Sequence, residues 1–92
     1  MVTQSISITN PLGMHARAAA RFVHAASEFQ SRVSVSRGSR TVDGKSILGI
    51  LLLAAARGSE ITVIVEGPDE GEAIVSLCRL VESGFGEGMC SA

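Results

Sequence analysis

The hydrophobic period of this chain changes from two to near 3.6 and back before Arg40, and that switching limits the folds open to it. Between Val2 and Ile8 the residues alternate, with Val2, Gln4, Ile6 and Ile8 on one side and Thr3, Ser5 and Ser7 on the other, the pattern of a half-buried strand. "NPLG" makes the turn that follows. From Ala16 the spacing is helical: Ala19, Phe22, Val23, Ala26 and Phe29 form one stripe, and Arg17, Arg21, His24 and Glu28 form the opposite, wet one. "RVSVSRGSRTV" then reads as a hairpin, with Val33 and Val35 alternating, a turn at Gly38-Ser39 and a second strand ending near Val42.

The second half repeats the alternation. "DGKS" closes the hairpin, and Ser46 offers an N-cap to a helix that should end at "RG", with Arg57 facing the C-terminal dipole and Gly58 as C-cap. "EITVIVE" is the most hydrophobic strand and so an interior one. After it, Asp69 and Glu72 can make a capping box, and Ile74, Leu77, Cys78 and Val81 give the inner stripe of a third helix stopped near Gly84. The order β-α-β-β-α-β-α implies the α+β class: an open-faced β-sandwich, with a four-stranded antiparallel sheet, three helices on one face and water on the other. With 92 residues this is a single domain, 1–92, whose residues 85–92 are expected to fray.

Composition removes several functions. The net charge is only -1 and Phe22, Phe29 and Phe85 are the sole aromatics, so neither the basic excess nor the stacking platform of a nucleic-acid binder is present. "MVTQSISITN" lacks a charged, then apolar leader, which points to the cytoplasm. The apolar run "ILGILLLAAA" is about half the roughly 20 residues of a membrane span. Cys78, Cys90, His15 and His24 do not form a metal-ligand pattern, and no cofactor is implied; Cys78 reads as a core residue and Cys90 as an exposed thiol.

The chemistry gathers in "GMHARAA". A histidine at a helix start often does no more than cap it. Here Gly13 allows a tight turn and close approach, the first-turn amides from Ala16 onward point beside His15, and Arg17 adds a guanidinium suited to an anion's oxygens. Together they form a phosphate cradle around a histidine that the helix terminus keeps neutral and nucleophilic. No nucleotide loop or metal cluster accompanies it, so the site can hold a phosphoryl group but not draw one from ATP unaided.

"GMHARAA" followed by "KSILG" is very similar to the HPr family, the histidine phosphocarriers of the bacterial phosphoenolpyruvate-dependent phosphotransferase system, over about residues 2–85. The resemblance implies that His15 takes a phosphoryl group on Nδ1 from phosphorylated enzyme I and passes it to an EIIA domain, with Arg17 assisting. It also implies a monomeric carrier without turnover of its own. The family motif has proline where this chain has Ala18, which leaves the pose of His15 relative to Arg17 less fixed. "SGFGEG" resembles the nitrogen-related branch of the family and "GKSILGILLLAA" the sugar-linked one.

A helix as apolar as "ILGILLL" should be covered on all sides, yet a two-layer domain leaves one side to water. By the resemblance, Ile47, Leu48 and Leu51 form a docking patch beside Ala16 and Ala20; the plainer reading places those leucines in the core. Ser46 is both an N-cap and, by the resemblance, the residue modified by HPr kinase/phosphorylase. A different class of function is a regulatory binding protein of the nitrogen or catabolite-control branch that docks without phosphoryl flux. A small interaction module with an incidental histidine is the third.

Overall fold

Strand β4 (Glu60–Glu66) shows why the domain is built as it is: its burial alternates strictly, with Ile61, Val63 and Val65 fully buried and Thr62 and Ile64 half-exposed. A strand with one dry and one wet face needs a cover on one side only. The structure, a computed structural model, describes residues 1–9, 13–53 and 56–86. Its elements are β1 (Val2–Ser7), α1 (Ala16–Ser27), β2 (Arg32–Arg37), β3 (Arg40–Asp43), α2 (Ile47–Leu52), β4 and α3 (Glu70–Glu82), followed by a 3₁₀ turn over Gly84–Gly86. The sheet is antiparallel throughout in the order β1-β4-β2-β3, so β4 is interior as its hydrophobicity implies. The α+β open sandwich holds.

The core lies between the inner sheet face and the helices. Ile6, Val33, Val35, Ile61, Val63 and Val65 meet Phe22 and Ala26 of α1, Ile50 of α2 and Leu77 and Val81 of α3. On the open face Ser5, Thr62, Ser36 and Thr41 stand in one register row across all four strands, and the Ser5 and Thr62 hydroxyls are 3.1 Å apart. This row of hydroxyls presents uncharged polar groups to water in the middle of that face.

Three expectations change. Helix α2 stops at Leu52 with Leu53 as its C-cap, not at Arg57-Gly58. Its last carbonyls are taken from a distance, Leu52 O by Arg40 at 2.6 Å and Leu53 O by Arg37 at 3.1 Å, which no local reading can see. Gly58, at φ +90°, instead turns the chain so that its amide donates to Ile8 O while Ile8 N donates to Ser59 O, both at 2.8 Å. These bonds extend the β1–β4 pairing beyond the strand ends.

The capping box of α3 is absent. Asp69 occupies the N-cap but its carboxylate turns away from the helix, accepting from Gln30 N and Ser31 N at 2.9 Å and from the Ser31 hydroxyl. Ser31 is fully buried, so this knot satisfies the one buried polar residue among those described. Gly67 lies against it with φ +155°, where an added Cβ would meet Ser31 Cα at 2.6 Å. The turn before α3 is closed by Glu70, whose Oε1 accepts from Gly67 N at 3.2 Å.

The third change is Phe85, placed by the sequence at the head of a fraying tail. It is fully buried, with a left-handed φ of 59°, and its carbonyl accepts from Arg21 of α1. Cys78 is only partly buried on α3; desolvation, and then the charge of Glu82, push its thiol up. The turn residues 10–12 and the tail residues 87–92, with Cys90, lie outside the described residues.

Candidate functional site

The start of α1 is built from contacts within a few residues. Gly13 is buried with φ +66°, the left-handed conformation that glycine adopts without strain. His15 N donates to Gly13 O at 2.9 Å, closing a tight turn around Met14, which is buried and anchors the turn in the core. His15 then leaves the turn with extended backbone angles as the N-cap of α1.

The imidazole is the cap. Nδ1 accepts from Arg17 N at 3.2 Å, and the His15 carbonyl accepts from Ala19 N at 2.8 Å. An Nδ1 that accepts a hydrogen bond carries its lone pair, which places the ring proton on Nε2 in the neutral imidazole. The ring is half-exposed, and Ala16 and Arg17 beside it are exposed. Glycine, histidine, the first-turn amide of Arg17 and its guanidinium-bearing side chain therefore sit at one helix terminus, where amide dipoles favour an anion. Ala18 is fully buried in the first turn, although it lies outside the stripe that the periodicity picks out.

Ser46 caps α2, its Oγ accepting from Gly49 N at 3.1 Å, and it is half-buried. Asp43 holds the approach, accepting from Lys45 N at 2.9 Å, and Lys45 Nζ reaches Phe29 O at 2.8 Å. Helix α2 packs on α1. It buries Ile50, with the cap residue Leu53, and leaves Ile47 45%, Leu48 68% and Leu52 55% exposed, while Leu51 is half-buried. Ala16 and Ala20 of α1 are exposed as well. The plainer reading, in which all the α2 leucines belong to the core, is excluded for Leu48 and Leu52. Leu52 is an addition that the sequence reading missed, because its exposure depends on where the helix ends.

Arg21 and His24 stand on the exposed stripe of α1 as the periodicity implies, and with Arg17 they line an open groove of about 650 Å³ toward Leu80 and Phe85. Met14, buried under the turn, and Arg37 and Arg40, bonded to the end of α2, carry no local signal in the sequence, since each acts through burial or through a partner remote in it.

The family model for the HPr component of the phosphotransferase system, described by its phosphorylation site, matches residues 2–83. The phosphocarrier protein HPr of Neisseria meningitidis is 48% identical over 88 residues, covering 96% of this chain and 99% of the relative. A crystal structure of HPr from Thermoanaerobacter tengcongensis superposes with a TM-score of 0.90 at 44% identity, covering 94% of this chain and 97% of that one. An HPr dimer from the same organism matches with a TM-score of 0.74 at 44% identity, covering 92% and 98%. The chain belongs to the HPr family, the phosphocarrier proteins of the phosphotransferase system.

Proposed function

We propose that His15 Nδ1 is the phosphoryl acceptor, that phosphorylated enzyme I is the donor and that an EIIA domain is the next acceptor. The observation that carries this reading is the N-cap geometry of His15, whose Nδ1 accepts from the Arg17 amide at 3.2 Å at a helix start. In the transfer, the Nδ1 lone pair forms the bond to phosphorus, the bond from phosphorus to the donor breaks, and its electron pair stays with the donor. Nδ1 then has no lone pair for the Arg17 amide, and a phosphoryl oxygen is the acceptor nearest to replace it. The guanidinium of the exposed Arg17, two residues on from His15, meets the charge on the transferring oxygens. No other reactant is needed, which fits a cytoplasmic carrier without turnover of its own.

Docking uses Ala16, Ala20, Ile47, Leu48 and Leu51, joined by Leu52, while Gly13 and the Ala16 turn form the phosphoryl cradle. Phosphorylation of Ser46 by HPr kinase/phosphorylase would place a dianion at the edge of that apolar surface. Every residue of the site comes from one chain, so a monomer suffices for transfer.

Incubation with enzyme I and labelled phosphoenolpyruvate tests the reading. Label that is acid-labile, base-stable and absent from His15→Ala is expected, whereas no transfer to the wild-type chain refutes it and favours a docking protein without phosphoryl flux.

A further inference from the structure

The β2–β3 hairpin ends on a pair that its own stability does not explain. Arg37 and Arg40 face each other directly across the end of the ladder, and like charges so opposed are destabilising. Both guanidinium groups reach out of the hairpin to one helix. Arg40 Nη1 donates to the Leu52 carbonyl and Arg37 Nη1 to the Leu53 carbonyl, at 2.6 and 3.1 Å.

Helix α2 depends on such help. At six residues it is under two turns and has no basic residue in its last turn, and helices this short do not hold themselves together in water. Its final carbonyls lack intrahelical donors. The carbonyl that Arg40 holds belongs to Leu52, one of the exposed apolar residues, and Leu48 lies one turn before it. Holding that carbonyl therefore fixes the turn that presents both leucines.

We propose that Arg37 and Arg40 are positioning residues for docking: they lock the C-terminal turn of α2 so that Leu48 and Leu52 meet the phosphoryl donor as a preformed surface. The proposal rests on the docking role of α2 given above. A surface ordered before binding spares the complex the cost of ordering it afterwards. The locally unfavourable arginine pair is thereby kept for what it does to a neighbouring element.

The test measures initial rates of phosphoryl transfer from enzyme I against the concentration of this chain, with thermal melts and amide exchange of α2. For Arg37→Ala/Arg40→Ala, KM should rise about tenfold with kcat unchanged, in line with the ordering cost of a few immobilised side chains. The α2 amides should exchange faster while the melt barely moves, and Arg40→Lys, which still donates to a carbonyl, should recover most of the loss. Leu48→Asp separates this proposal from the docking role. If Leu48→Asp raises KM and the arginine variants do not, positioning is overturned and docking stands. If Leu48→Asp leaves KM unchanged, the docking role itself falls and the proposal with it. A fall in kcat alone would place the arginines in the chemistry, and an unfolded Arg40→Ala would place them in the fold; either result overturns the proposal.

Discussion

The start of α1 and the whole of α2 are held in place by opposite means. At α1 the bonds that set the geometry close within four residues: Gly13 O to His15 N, Nδ1 to Arg17 N, His15 O to Ala19 N. At α2 the Ser46 cap is local, but the carbonyls of the far end are held by arginines from the hairpin, and its outer face is defined by what the sheet leaves uncovered. Bond-making chemistry requires reacting atoms fixed to fractions of an ångström, which short closed loops provide. Docking requires apolar area that stays exposed, and that is a property of the whole fold.

The largest effect should fall on α1. Arg17→Ala should slow transfer roughly 10²–10³-fold, the range for losing one preorganised charge-stabilising group. The melt should stay unchanged because the side chain is exposed. Arg17→Lys should restore part of the rate, since an ammonium supplies charge but not two parallel donors. These losses should appear in kcat. Equal rates for Arg17→Ala and wild type would return Arg17 to the solvated stripe and erase the contrast between the helices.

The α2 counterpart should appear in KM. Leu48→Asp would carry a carboxylate into the docked interface, at a cost of about 1–3 kcal/mol. An exposed surface substitution of this kind changes folding stability by only about 0.5 kcal/mol. Rates at saturating enzyme I and at limiting enzyme I, measured beside a melt, distinguish the two helices. A drop in the melt as large as the drop in affinity would mean that Leu48 supports the fold.

What the sequence made legible follows the same division. The strands, the interior position of β4, the helix faces and the group at His15 were readable because each is written in a local period or a motif of a few residues. The end of α2, the true bonds of Asp69 and the burial of Phe85 were not. In each, a residue's obvious local partner lost to one far along the chain: Arg40 in place of Arg57 at a helix end, Ser31 in place of the first turn of α3, Arg21 drawing in the Phe85 carbonyl.

Ser46 tests the local end of α2. Ser46→Ala should cost about 1 kcal/mol by leaving the Gly49 amide without its acceptor. Ser46→Asp, itself a good cap, should leave the melt in place while its charge weakens docking. Calorimetric titration of enzyme I with both variants, beside their melts, checks the pair. Unchanged affinity for Ser46→Asp would limit Ser46 to capping and move the docking surface away from it.

The smallest effect should separate two long-range anchors by acid, that of the loop after α1 and that of α2. The loop that follows α1 is tied down by a carboxylate, Asp69, which accepts from Gln30 and Ser31 and is held below the ordinary carboxylate value, first by the Ser31 hydroxyl and then by the Gln30 amide. A group whose folded value is depressed stabilises the fold above its unfolded value, and that contribution is lost as pH falls through the folded one. The knot should therefore be intact from neutral pH down to the carboxylate range and loosen below it. The C-terminal clamps of α2 run from arginine to carbonyl and contain no carboxylate to protonate. Protection of the Gln30 and Ser31 amides, measured down an acid series, should fall before that of the α2 amides, with the melt moving by only a few degrees. Asp69→Asn should lower the melt at neutral pH, and its gap from wild type should narrow as the pH drops, because wild type loses what the variant already lacks. A gap that stays constant through the acid range would show that the Asp69 charge does not tie the loop, and α2 protection falling in step with Gln30 would show that the two anchors are one cooperative unit.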